Sequence, residues 1–289
     1  MFRAVIDKYG LTYSRTSRLK TIFRLLWNAI LYMKWNVTKR LQGIHSPVVH
    51  YYAVCWNEER MLPFMFYHYG SLVERFFIFD NGSTDSSREI INRHPKAELI
   101  PFQTKGFDDI AHMRIKNECW KKSRGKADYV IVCDIDEFTY LSQPMSFFKE
   151  LQEQNISIPL SIGYDMVAQE FPNYSETPSL INVVDRGIVN KDYSKCLFFS
   201  PYKIVDINYE PGAHFCHPKG LVRYSNKPQY QVLHYKNLGY EYVIDRSKEY
   251  RLRMSEENIK NNYAIQYYES NDEIIAKLND LLIKARKVI

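Results

Sequence analysis

Two aspartates with one residue between them, Asp134 and Asp136, with Glu137 directly behind them, close an apolar run at 129–133. In an extended chain, residues two apart project to the same side, so both carboxylates would face one space. Carboxylates that close repel each other unless a cation lies between them, and Mg2+ or Mn2+ prefers oxygen ligands and bridges readily to phosphates. The pair therefore points to a divalent metal that grips a diphosphate and takes up charge as a nucleoside diphosphate departs. A solvated acidic turn would have the same sequence. A second polar cluster, Asp80-Asn81-Gly82-Ser83-Thr84-Asp85, follows another apolar run. Its side chains suit the reading of a base and ribose, or more simply a turn that caps the next helix through Thr84 or Asp85.

Elements that alternate in type must position these clusters. A strand pattern at 48–56 gives way to a helical one at 59–72, a strand at 74–80, a helix at 86–94 and a strand at 97–102. A helix at 108–122 and a strand at 128–136 follow. This β-α-β rhythm predicts a mostly parallel sheet covered by helices, with ligands bound beyond the carboxyl ends of its strands. Residues 138–235 read as irregular, broken by seven prolines from Pro144 to Pro218. From Tyr242 the pattern is helical, and Ser270 with Glu273 makes a capping box. The expected division is a basic segment at 1–44, a catalytic domain at 45–241 and terminal helices at 242–289.

Three segments in order carry a family resemblance: Cys55-Trp56-Asn57-Glu58-Glu59, then Phe79-Asp80-Asn81-Gly82-Ser83-Thr84-Asp85, then Cys133-Asp134-Ile135-Asp136-Glu137-Phe138. Together they resemble the nucleotide-sugar glycosyltransferases of the family-2 type with the GT-A fold, in their bacterial polysaccharide-assembly branch. The resemblance covers about residues 48–140. It implies an α/β fold with a mostly parallel mixed sheet flanked by helices, and helical extensions at both termini. It implies that Asn57, Glu58, Asp80 and Asn81 meet the nucleotide, that Asp134 and Asp136 hold metal and diphosphate, and that Glu137 supports them from behind. Arg114 and Asn117 would approach the donor, and Lys195 would stand near its diphosphate. A later histidine would complete the metal site; His234 is the expected one, with His214 and His217 competing. Such enzymes are typically inverting and need a base to deprotonate the acceptor; Asp165 and Glu170 are the candidates. The implied partners are a UDP-sugar by default and a glycan or lipid-linked acceptor, in surface polysaccharide or lipopolysaccharide assembly.

Charge adds a further expectation. The chain carries a net +6, yet residues 1–42 hold nine lysines and arginines against one acid, Asp7. A nucleic-acid binder would spread its cations over the fold, so no nucleic-acid partner is expected. Residues 15–40 combine Trp27, Trp35 and several aliphatic side chains with basic ones and lack an uninterrupted spanning run. They fit either a helix lying on an anionic membrane surface or one packed on its own domain. Five scattered cysteines without a Cys-x-x-Cys pair suggest a cytoplasmic setting, peripheral on the inner face of the membrane if the helix binds lipid. Two rival readings remain: a phosphatase of the haloacid dehalogenase type, whose motif does not place a residue like Phe138 after the second aspartate, and a non-catalytic scaffold that keeps the fold.

Overall fold

The computed structural model describes residues 15–289; residues 1–14, part of the expected basic segment, lie outside the described residues. A long helix, Arg15–Leu41 (α1), precedes strand Val49–Cys55 (β1), which is buried at every position. Burial on both faces marks the middle of a parallel sheet. Alternate residues of β1 serve two cores: Val49, Tyr51, Ala53 and Cys55 pack with Phe64 and Phe76, whereas Tyr52 and Val54 pack with Trp120, Val130 and Phe199.

The chain continues through Leu62–Tyr69 (α2), Arg75–Asp80 (β2), Ser87–Arg93 (α3), Ala97–Pro101 (β3), Asp109–Glu118 (α4) and Tyr129–Val132 (β4). Strands β1 to β4 are parallel, and Phe198–Phe199 (β8) adds an antiparallel edge, giving the order β3-β2-β1-β4-β8. The chain winds outward from β1 to β3 and then returns to lay β4 on the other side of β1. The crevice between β1 and β4 is thus the switch point where such sheets bind ligands. This is the mixed α/β architecture, parallel sheet between helices, that the sequence led us to expect.

Residues 138–235 differ from expectation. After Glu137–Tyr140 (β5) and Pro144–Glu153 (α5) they build most of a second five-stranded sheet. It contains Ile158–Ala168 (β6), Arg186–Val189 (β7) and Tyr224–Leu238 (β11), closed by Arg286–Lys287 (β12), in the order β12-β7-β6-β11-β5. A short helix, Leu180–Val183 (α6), precedes β7, and Ile204–Asp206 (β9) pairs with Lys219–Gly220 (β10). The pairing of β11 with β6 shifts register between Tyr224 and Pro228, between Pro228 and Tyr230, and between His234 and Asn237. Such irregularities break the two-residue period and hide a long strand from pattern reading. The C-terminal part holds Tyr240–Leu252 (α7), Glu256–Asn261 (α8) and Asn271–Lys284 (α9), and the Ser270–Glu273 capping box is present.

Three histidines are held neutral inside this frame. His50 bonds Ser123, His68 meets the Thr139 carbonyl, and His112 meets the Asn81 amide nitrogen. Burial is the main cause that lowers each to about 4. A lowered folded-state pKa means the unfolded chain takes up protons first. Their stabilising contribution is fully present above about pH 6.5 and is lost as pH falls toward 4, at up to about 1.4 kcal/mol per pH unit for each. Urea unfolding at stepped pH should therefore show midpoints dropping between pH 6.5 and 4, and His50→Gln should shallow that slope. An unchanged slope would remove His50 from the account.

Candidate functional site

The cleft lies at the carboxyl ends of β1 and β4 and has a volume of about 610 Å³, within the range of small-molecule sites. Glu58 reaches it from beyond β1, and Asp134, Asp136 and Glu137 from beyond β4. The acidic pair does not extend the strand as expected. Strand β4 stops at Val132, and 134–136 form a turn in which the Glu137 amide donates to the Asp134 carbonyl at 3.2 Å and the Asp134 amide to Glu137 Oε2 at 3.1 Å. Ile135 is buried beneath the turn, which leaves both aspartates facing the cleft. Convergence comes from the turn rather than from strand alternation.

Each aspartate has its own positive partner. Lys116 Nζ lies 2.6 Å from Asp134 Oδ1, and His234 Nε2 lies 3.3 Å from Asp136 Oδ2. Burial alone would push the Asp134 carboxyl up, but Lys116 and then Lys195 outweigh it and hold the group well below the usual carboxylate range. Burial acts on Asp136 in the same way and is outweighed by His234. For His234, burial lowers the pKa but Asp136 and Asp165 overcome it and raise the ring to about 9. The mutual repulsion that called for a metal is thus partly met by the protein's own cations.

The second sheet supplies the far wall. On β11, His234 is in register with Asp165 of β6 on one side and Glu137 of β5 on the other. Asp165 Oδ1 lies 3.1 Å from His234 Nδ1, and Asp165 Oδ2 accepts from Asn190 at 2.7 Å. Tyr193 stacks on the imidazole with ring centroids 3.9 Å apart. A Cβ at Gly163 would come within 2.2 Å of the Tyr193 carbonyl carbon, so glycine is what lets the Tyr193 turn settle on β6. Lys195 and Glu137 form an ion pair among the most buried charges of the fold.

These contacts test the fit of a divalent ion. Asp136 and His234 present an oxygen and a nitrogen at a spacing that two ligands of one ion would have, and Asp165 orients the ring from behind, as carboxylates do for metal-binding histidines. No group of three or more metal-binding side chains forms among the described residues. Two side chains at that spacing would leave most of an ion's coordination to groups from outside the protein.

Several expected residues lie elsewhere. Asn57 adopts a left-handed φ of 50° and exchanges hydrogen bonds with Thr84, locking two loops together. Asp80 is buried, accepting the Ser83 amide at 3.2 Å with Arg88 Nε 3.5 Å away, and Asn81 is tied to Thr104. None of these three lines the main cleft. Arg114 is exposed, and Asn117 bonds the Tyr209 backbone. The cleft face of α4 is instead Asp109, His112, Met113 and Lys116, the side of the helix next to the one expected. Glu170 is exposed and outside the cleft; His214 lines it, whereas His217 is on the surface paired with Glu210.

Pattern reading missed the C-terminal wall. Arg246, Tyr250 and Arg253 line the cleft from α7 and the turn after it. Arg246 donates to the Asn57 carbonyl at 2.8 Å and pairs with Glu58, while the Arg253 guanidinium sits 4.1 Å from the centre of the Trp56 ring. Their spacing of four and three residues on one helical face was the available signal.

The model of glycosyltransferase family 92 matches residues 49–275. The chain belongs to glycosyltransferase family 92. The match runs from β1 to the start of α9 and so takes in the first sheet, all of the second except β12, and the Arg246 wall, which makes this chain a glycosyltransferase. The matching model is not the family-2 type that the three motifs resemble. No curated protein is matched. Among solved structures, S. aureus TarS superposes with a TM-score of 0.41 at 12% identity, covering 81% of this glycosyltransferase and 43% of TarS. TarS 1–349 in complex with UDP-GlcNAc gives 0.39 at 11% identity, covering 81% and 71%. Glucosyl-3-phosphoglycerate synthase from Mycobacterium tuberculosis, in complex with Mn2+, UDP and phosphoglyceric acid, gives 0.28 at 16% identity, covering 41% and 44%.

Proposed function

We propose that this glycosyltransferase takes a sugar from a nucleoside-diphosphate donor, UDP being the first to test, and passes it with inversion to a hydroxyl of a glycan or lipid-linked acceptor. Surface polysaccharide assembly is the pathway we propose, on the strength of the motif resemblance. The observation that carries the donor reading is the ring of charge around the cleft. Asp134 and Asp136 lie beside Lys116 and His234 on one side, and Arg246 and Arg253 stand on another. Arg253 Nη1 is buried and has no hydrogen-bond partner among the described residues, a donor that a phosphate or a base would satisfy.

Bound at Asp136 and His234, Mn2+ or Mg2+ would supply Lewis-acid stabilisation of the diphosphate leaving group. The protein's own groups do the rest. Lys116 holds Asp134 in place and adds positive charge to the cleft wall. Trp56 and Arg253 form a flat edge suited to a base, and Asp165 fixes the imidazole of His234 through Nδ1. That bond makes Asp165 a positioning residue. Asp165→Asn should lower activity about 10–100-fold together with divalent-ion affinity. A larger loss with ion and donor affinity untouched would instead make Asp165 the base.

Thermal stability tests the donor reading, because a ligand of the native state raises the melting temperature. UDP with Mn2+ should raise it by several degrees, and EDTA should remove most of the rise. No rise with any nucleoside diphosphate would end the proposal. A rise that EDTA leaves intact would keep the nucleotide but assign its charge compensation to Lys116, Arg246 and Arg253, a reading that the Lys116–Asp134 pair favours.

A further inference from the structure

Helix α1 has two opposite faces. One is docked: Asn28 donates to the Tyr202 carbonyl at 3.1 Å, Trp35 Nε1 to Asp128 Oδ1 at 3.0 Å, and Lys39 Nζ to Asp128 Oδ2 at 2.6 Å. Leu31 and Trp35 pack there with Val48, Ala127 and Tyr202. At 100° per residue, Asn28, Leu31, Trp35 and Lys39 share one side of the helix. Leu19, Phe23, Leu26, Ile30, Met33 and Val37 share the other, and each of the six is more than half exposed, from 51% for Ile30 to 71% for Phe23. An apolar stripe of this length, about 27 Å at 1.5 Å per residue, is unusual on a soluble surface and marks a place of contact.

We propose that this stripe rests on the surface of an anionic lipid bilayer, with α1 parallel to the membrane plane. Charge selects that occupant. The helix has seven lysines and arginines and no acidic residue, and Lys20, Lys34 and Arg40 are exposed around the stripe. A second copy packed stripe to stripe would bring two such cationic rims together, whereas anionic headgroups answer them. No helix among the described residues is long and apolar enough to cross a membrane, which leaves in-plane binding as the mode for α1. The docked face meets Val48, Asp128 and Tyr202, all at the amino ends of β1 and β4 or beside them. The cleft is at the other end of β1, seven residues on, so about 20 Å of strand separates it from the helix.

Flotation of the full chain with vesicles tests the proposal without reference to any nucleotide. The chain should float with phosphatidylglycerol–phosphatidylcholine vesicles and bind pure phosphatidylcholine at least roughly tenfold more weakly. The variant Phe23→Ser/Leu26→Ser/Met33→Ser should lose about tenfold or more of that binding while keeping its melting temperature, since all three side chains are exposed. Bromolipid should quench the native protein's fluorescence, and Trp27→Phe should remove that quenching; this readout stands even where the triple variant fails to fold. The proposal is overturned by a native chain that stays with the soluble fraction, by a folded triple variant that floats equally well, or by a stripe-dependent dimer in sedimentation that does not bind vesicles.

Discussion

Replacing Asp136 with alanine should cut sugar transfer by about a thousandfold or more, equivalent to roughly 4 kcal/mol of lost transition-state stabilisation. Asp136 is placed for the proposed ion together with His234, and the alanine would also strip His234 Nε2 of its partner 3.3 Å away. Burial of that ring then favours the neutral form, because Asp165 alone remains to hold its proton. The variant should therefore fold, since Asp136 is partly exposed at the cleft. The loss should appear mainly as lost divalent-ion dependence, read from kcat/KM against Mn2+ concentration and from the nucleotide-induced melting shift. Retention of a tenth or more of native activity would be incompatible with the role assigned to this carboxylate.

The second large effect is on stability. Lys195 and Glu137 are 3% and 1% exposed and bonded to each other. Lys195→Met should leave a buried carboxylate without its partner at a cost of about 3–5 kcal/mol, because removing one member of a buried pair leaves the other uncompensated. Adding Glu137→Gln to the same chain should recover much of that loss, since the neutral amide needs no counter-ion and its oxygen can still accept the Asp134 amide. Urea midpoints of the native, single and double variants complete the comparison. If the double variant is no more stable than Lys195→Met, the pair is not the cause. Lys195, expected near a donor diphosphate, lines the cleft, and its ammonium is committed to Glu137 beneath the acidic turn.

How much of this could be read from the sequence depends on range. The parallel half was legible because the strands at 49–55, 75–80 and 129–132 are short, mostly apolar runs ended by polar turns, as strands inside a parallel sheet tend to be; the first and third are buried at every position. The acidic motif gave the cleft its location, although the turn that aims Asp134 and Asp136 depends on Ile135 being buried. His234 stood out as a polar residue in an apolar run; its partner Asp165, 69 residues away, emerges only from the parallel register of β6 and β11. For α4 a shift of one helical position separated Arg114 and Asn117 from Met113 and Lys116. Arg246 and Arg253 were the least legible, because nothing local says that a C-terminal helix folds back 190 residues to bond the Trp56 carbonyl.

The acidic turn also joins two structures. Residue 132 ends the parallel sheet and residue 137 begins the mixed one, so the four residues between them are a hinge post shared by two walls. Asp134 and Asp136 sit on that post, with Lys116 of the first wall on one side of them and His234 of the second on the other. A shift of one wall against the other would therefore change the distance between the two cations and the acidic pair they flank.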